Sequence, residues 1–284
     1  MATIGWSLSG LFVRLMPGLD GWQINCWRGF WLALALVIYL VLVHGRAAID
    51  QFDAIPFSGL VISALCFAAG TTFYVTSLTF VSTATVSVIG ATSPLITALL
   101  SPWITGERPH LVAWISAILA IVGSAVITQD GLHQGNGIGI LLSFGVPLTF
   151  AIQTLLLRKY RDHDMMAAMC VGGVFSFIIA GIASGFFGPA SAFAVTQREF
   201  VLLAMMGVIQ LALPIIFYAY GARTVPGVTL ALIAVLDAVF NPFWSWAFVG
   251  EMPDQASVMG GAVILVAVLI TVLGGHLYRR LSPA

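Results

Sequence analysis

Gly106-Glu107-Arg108-Pro109 and Gly250-Glu251-Met252-Pro253 carry the same pattern, Gly-Glu-x-Pro, at an offset of 144 residues, each between two apolar stretches. The offset holds upstream of the motif. Phe73-Tyr74 aligns with Phe217-Tyr218, Thr85 with Thr229 and Ile89 with Ile233. Half of the 284 residues is 142, so the chain reads as a duplicated half, divided into 1–130 and 131–284. Internal duplication in a membrane protein is the usual architecture of a transporter.

Composition places the chain in a bilayer. It is 60% hydrophobic and 8% charged, with a mean hydropathy of +1.04, whereas a soluble domain has about 25% charged residues. The net charge of zero offers no basic footprint for nucleic acid. Cys26, Cys66 and Cys170 lie in apolar stretches without metal-ligand spacing.

Ten apolar spans follow, at about 2–17, 21–43, 54–78, 83–104, 109–128, 136–159, 165–187, 198–221, 226–249 and 254–278, most near the roughly 20 residues that a helix needs to cross a bilayer. The predicted fold is an all-α polytopic membrane protein. If the N-terminus is cytoplasmic, the inner segments hold eight Lys and Arg (Arg46, Arg108, Arg158, Lys159, Arg161, Arg223, Arg279, Arg280) and the outer ones two (Arg14, Arg198). That bias puts both termini in the cytoplasm. Each half then has five helices, an odd number, so the second half enters the membrane the other way up. Arg14 and Arg158, also 144 apart, fall at opposite faces. The expectation is two inverted five-helix repeats able to exchange conformations around one central site.

The five-plus-five pattern, Gly-Glu-x-Pro between the last two helices of each half, Arg28-Gly-Phe-Trp-Leu-Ala in span 2 and Thr83-Ala-Thr-Val-Ser-Val-Ile-Gly-Ala-Thr-Ser-Pro-Leu-Ile-Thr in span 4 together resemble the drug/metabolite transporter superfamily. The EamA-type members are the most similar, and the YddG-like amino-acid exporter branch is similar as well. The resemblance implies a bacterial inner-membrane exporter of small metabolites, often amino acids. It also implies a central cavity lined by spans 1, 3, 4, 6, 8 and 9, with spans 5 and 10 outside.

The repeated motif itself reads as a hairpin connector. Glycine suits a left-handed helix end, proline a helix start, and a glutamate the positive end of a helix. Asp237 is the conspicuous residue. It sits mid-span among Val235, Leu236, Ala238 and Val239, where a carboxylate is expensive unless paired, hydrated or protonated. Asn241 shares its helix face, and Pro242 interrupts the backbone ladder beside it. One reading is a cavity patch that binds a substrate ammonium or carries a coupling proton; the other is an acid that ties helices together. Its repeat mate is Ser93, neutral and followed by Pro94. Pro94 and Pro242 are candidate hinges.

Tyr74 and Tyr218 are repeat-related and deep, so their hydroxyls need partners. Gln153 and Gln210 lie mid-span and either contact substrate or glue helices. Trp6 is a further binding candidate. Arg28 could meet a substrate carboxylate, snorkel outward or pair with a carbonyl.

The sequence has no phosphate loop, nucleophile elbow or zinc-protease pattern. It therefore predicts a secondary transporter and not an enzyme, with no cofactor. Its expected partners are a small-molecule substrate (an amino acid, aromatic or otherwise neutral, or a similar metabolite), the lipid bilayer and protons. A broad-specificity drug exporter and a passive facilitator or channel share these motifs. The sequence leaves substrate, coupling ion and oligomeric state open.

Overall fold

The computed structural model describes residues 1–78, 80–81, 83–127, 137–249 and 255–281. The side chains of Arg14, Thr85, Asn241 and Pro242, and all of Gly250-Glu251-Met252-Pro253, lie outside the described part.

The described chain is almost entirely helical: α1 (Ala2–Trp6), α2 (Ser9–Leu15), α3 (Gly21–His44), α4 (Asp50–Ala54), α5 (Phe57–Leu78), α6 (Thr83–Gly90), α7 (Ser93–Ile104), α8 (Leu111–Ile127), α9 (Gly137–Lys159), α10 (Met166–Phe187), α11 (Gln197–Met205), α12 (Leu213–Ala222), α13 (Gly227–Val235), α14 (Asp237–Val249) and α15 (Gln255–Leu281). Helices suit this composition because lipid offers no partner to a backbone N–H or C=O. Five runs are long and apolar enough to cross a membrane: Gly21–Ala48, Phe57–Ser77, Gly137–Lys159, Met166–Phe187 and Gln197–Ala222. Five shorter apolar helical stretches accompany them.

Local chemistry sets the ends. Asp20 accepts the Gln23 N–H at 2.8 Å and the Gln23 side chain accepts the Asp20 N–H at 3.0 Å, a capping box that starts α3. Thr196 and Glu199 form the same box before α11. Gly45 (φ 57°) and Gly106 (φ 73°) take positive φ where α3 and α7 stop, as expected for Gly106. α8 starts two residues after Pro109, at Leu111.

Three interruptions matter for the site. The first span is not continuous: it breaks at Ser7–Leu8 between α1 and α2. The fourth breaks at Thr92, where the Thr92 N–H reaches Ile89 O (3.0 Å) and the N–H groups of Leu95 and Ile96 both reach Thr92 O (3.0 and 3.1 Å). The ninth breaks at Leu236 with the same three bonds 144 residues on: Leu236 to Ile233 (3.2 Å), then Val239 and Phe240 to Leu236 (3.0 and 3.1 Å). Pro94 sits in the first turn of α7, as a proline at a helix start should. The second break has no proline; Pro242 lies six residues further, inside α14. The eighth span widens into a π-helix at Met206–Ala212, just before Pro214, whose missing N–H disrupts the normal ladder.

Packing is close where side chains are small. A Cβ added to Gly29 would lie 2.8 Å from Gly173 O, and one added to Gly173 would lie 2.9 Å from Gly29 O. These two glycines, themselves 144 apart, bring α3 and α10 backbone to backbone, as small residues do in membranes. Gly123 likewise lets α8 meet α15 at Gly260. The two broken helices meet, α7 packing on α13.

Candidate transport site

The first span is stitched to the ninth on both sides of Asp237. Thr3 Oγ1 donates to Ile233 O (3.3 Å), one turn before Asp237, and Trp244 Nε1 donates to Ser7 Oγ (2.7 Å), two turns after it. Asp237 opens α14 directly after the break. Its carboxylate has no hydrogen-bond or ion-pair partner among the described residues. Ser93, its repeat mate, opens α7 in the same way but is buried.

The two repeat-related tyrosines have opposite surroundings. Tyr218 is 6% exposed, shares a 2.9 Å hydrogen bond with Thr154 and packs on Trp6 at 5.0 Å between ring centres. Phe150 completes that aromatic group. Tyr74 is 37% exposed, and its hydroxyl has no partner among the described residues. Arg28 on α3 and Asp237 on α14 are both within electrostatic reach of Tyr74 on α5.

Arg28 has no ion-pair partner among the described residues, and its buried Nε is unbonded. Two neighbours on α3 share that condition: Asn25 Nδ2, one turn before, and Trp31 Nε1, one turn after. Asn25 uses only its oxygen, which accepts from Ser176 Oγ at 3.4 Å, and Ser176 in turn meets Thr71 at 3.1 Å.

The two glutamines differ. Gln210, in the π-helix, donates to Trp6 O (3.2 Å) and keeps a buried, unbonded Oε1. Gln153 also keeps a buried, unbonded Oε1, but its amide donates to Ser63 Oγ (2.8 Å) and Met169 Sδ (3.4 Å), which places it between α5, α9 and α10 as a tie among helices. The structure thus brings Trp6, Tyr218 and Gln210 into one group.

The first Gly-Glu-x-Pro copy does more than connect a hairpin. Arg158 Nε donates to Glu107 Oε1 at 2.6 Å, and its Nη1 donates to the carbonyls of Ala222 (3.0 Å) and Arg223 (2.9 Å) at the end of α12. Glu107 Oε2 accepts the N–H of Gly227, the first residue of α13, at 3.4 Å. The helix terminus served by this glutamate belongs to α13, in the other half, and not to the following α8. Sequence spacing pairs Arg14 with Arg158 and Glu107 with Glu251, but no local pattern could show that Arg158 and Glu107 meet.

The EamA-like transporter family model matches residues 1–129 and again 137–273. The chain belongs to the EamA-like transporter family. This EamA-like protein is accordingly a multi-pass membrane transporter and not an enzyme. It is 25% identical to the pseudopaline exporter CntI of Pseudomonas aeruginosa strain UCBPP-PA14 over 82% of this chain and 80% of that one. It is 27% identical to a probable terminal-alkyne amino-acid exporter of Streptantibioticus cattleyicolor over 95% and 90% of the two chains. A biotin transporter of Salmonella typhimurium is 23% identical over 62% of this chain and 60% of its own length. One solved crystal structure, 16% identical, shares the fold with a TM-score of 0.82 over 99% of this chain and 96% of the other.

Proposed function

We propose that this transporter exports amino acids or similar small metabolites across a bacterial inner membrane by alternating access. Its ten spans form two inverted five-helix repeats with both termini in the cytoplasm. The observation that carries this reading is the pair of helix breaks at Thr92 and Leu236, with the same three backbone bonds at the 144-residue offset. Broken helices at equivalent points of two repeats mark the binding region of transporters built this way. The reciprocal contact of Gly29 with Gly173 supports the same two-fold relation. Amino-acid cargo is supported by the S. cattleyicolor relative and by an interior that offers one acid and one guanidinium.

In this scheme Arg158 and Glu107 close the cytoplasmic end by tying α9 to the loop after α7 and to both ends of the α12–α13 connection. Pro94 and Pro242 flank the segments that bend, and a proton on Asp237 is the coupling ion.

Uptake of a labelled amino-acid panel into proteoliposomes, with and without a pH gradient and with counterflow, tests this. Saturable uptake that responds to the gradient is expected. Saturable uptake indifferent to the gradient would leave a facilitator, and uptake of bulky aromatic cations but no amino acid would make it a drug exporter.

A further inference from the structure

We infer that a cleft between the end of α3, the α9–α10 connection and the end of α12 binds the phosphodiester of an anionic phospholipid, through Arg161, Arg223 and the hydroxyls of Tyr39 and Tyr220. The site concerns the lipid around the transporter and does not depend on what the transporter carries.

The groups that line the cleft are partly spent and partly free. The Tyr39 and Tyr220 hydroxyls share one hydrogen bond at 3.1 Å. Two hydroxyls carry two hydrogens, so one is left over, and it has no acceptor among the described residues. The Arg223 guanidinium lies 4.8 Å from the centre of the Tyr220 ring. Stacking of that kind holds the cation in place and leaves its N–H groups open to an acceptor. Neither the Arg161 nor the Arg223 side chain has a hydrogen bond or ion pair among the described residues. Asp164 is the one carboxylate among the described residues that line the cleft, and both its oxygens are taken. Oδ2 meets His44 Nε2 at 2.8 Å, and Oδ1 accepts the Met166 N–H at 3.1 Å. Asp162, next to Arg161 in the chain, is exposed and is not part of the lining. The cleft therefore offers donors and positive charge. A phosphate supplies the acceptor oxygens and the negative charge that a guanidinium matches. The cleft is narrow, so phosphate oxygens enter it and the rest of a headgroup stays at its mouth.

Position in the fold turns a phosphate site into a lipid site. Tyr39 is in the last two turns of α3, Arg161 follows the end of α9, and Arg223 follows the end of α12. All lie where runs long enough to cross the membrane stop, at the depth of lipid headgroups, where tyrosines collect. This is the proposed cytoplasmic end, which holds most of the Lys and Arg. Basic pockets between helices on that side suit anionic headgroups. From Tyr220 towards the membrane interior, Phe217 and Leu213 continue one face of α12 at spacings of three and seven residues, and both are exposed. That apolar strip gives an acyl chain a seat that a free phosphate would not use. With Asp164 occupied, the cleft has no acid for an ammonium, so a headgroup without an amine fits it better than phosphatidylethanolamine or phosphatidylcholine.

The test is the melting temperature of the full chain, purified in a neutral detergent and stripped of lipid. Three ligands are added separately: phosphatidylglycerol, phosphatidylcholine and the soluble headgroup glycerophosphoglycerol. A ligand that binds only the folded state raises the melting temperature. Phosphatidylglycerol should raise it by about 5 °C and the other two by less than about 1 °C. Arg161→Gln combined with Arg223→Gln should abolish the difference between the two lipids. Arg46→Gln combined with Lys159→Gln removes the same charge at the same end, outside the cleft, and should leave the difference intact. Equal shifts with both lipids in wild type would overturn the inference. So would an equal loss in both double variants, because the lipid would then be reading the charge of the whole end. A full shift with glycerophosphoglycerol would overturn the lipid assignment in favour of a free phosphate ester. Should the cleft double variant not fold, each single variant should lose about half of the lipid difference, and no loss in either would overturn the site. None of these outcomes depends on which cargo is transported.

Discussion

The chain places its charged groups in two opposite ways. At one end, Arg158 uses three of its donor contacts on Glu107, Ala222 and Arg223, and Glu107 uses its other oxygen on Gly227. Mid-span, Arg28 and Asp237 have no such partners among the described residues. The first arrangement is what a structural ion pair looks like, with helix-end carbonyls and a helix-start N–H satisfied at once. The second is costly in a membrane and makes sense only if something else completes it. On the proposed function, a paired charge marks where this protein holds itself together and an unpaired one marks where it would hold its cargo.

That contrast is breakable, and the largest effect should come from the interior. Asp237→Asn should cut amino-acid transport at least about tenfold, because the ammonium loses a charge-assisted partner. The same change should raise the melting temperature by a few degrees, since it removes an unpaired intramembrane charge. A fall in both transport and stability would mean that Asp237 is structural.

At the paired end the order should invert. Glu107→Gln should lower stability by about 1 kcal/mol, a figure kept small because Glu107 is partly exposed and solvent screens the pair. A double-mutant cycle with Arg158→Gln in thermal unfolding should show positive coupling. Additive losses would mean that Arg158 acts through the Ala222 and Arg223 carbonyls alone.

Among the buried polar groups, Gln153→Leu strands the fully buried Ser63 hydroxyl and should cost about 1–2 kcal/mol of stability. Its effect on selectivity among amino-acid derivatives should be nil. A selectivity change would place Gln153 in the site after all. The smallest effect belongs to Tyr218→Phe, which removes one hydrogen bond to Thr154, worth about 1 kcal/mol. The repeat-equivalent Tyr74→Phe should leave stability unchanged and weaken transport, and equal behaviour of the two would remove the distinction between them.

Much of this was legible in the sequence. Hydropathy gave the helices, and the 144-residue offset gave equivalent positions that the breaks at Thr92 and Leu236 share. Asp237 announced itself because a mid-span acid is rare. The π-helix before Pro214 and the position of the second break were not legible. A proline signals a lost N–H, but the break at Leu236 has none. Arg28 was read with several outcomes open because only the three-dimensional arrangement shows whether a guanidinium finds a partner. Gln153 and Gln210 look alike in sequence and differ only in what the neighbouring helices present to them. The Glu107–Arg158 pair joins residues 51 apart, a pairing that local pattern cannot specify.

The most direct test of the central claim is the melting temperature of purified protein in detergent with and without saturating phenylalanine or leucine, in wild type, Asp237→Asn and Arg28→Gln. Ligand that binds only the folded state must raise it. The account predicts a clear rise in wild type, little or none in either variant, and none with the methyl ester in wild type. An equal rise in all three proteins would show that the unpaired interior charges are not where the cargo sits.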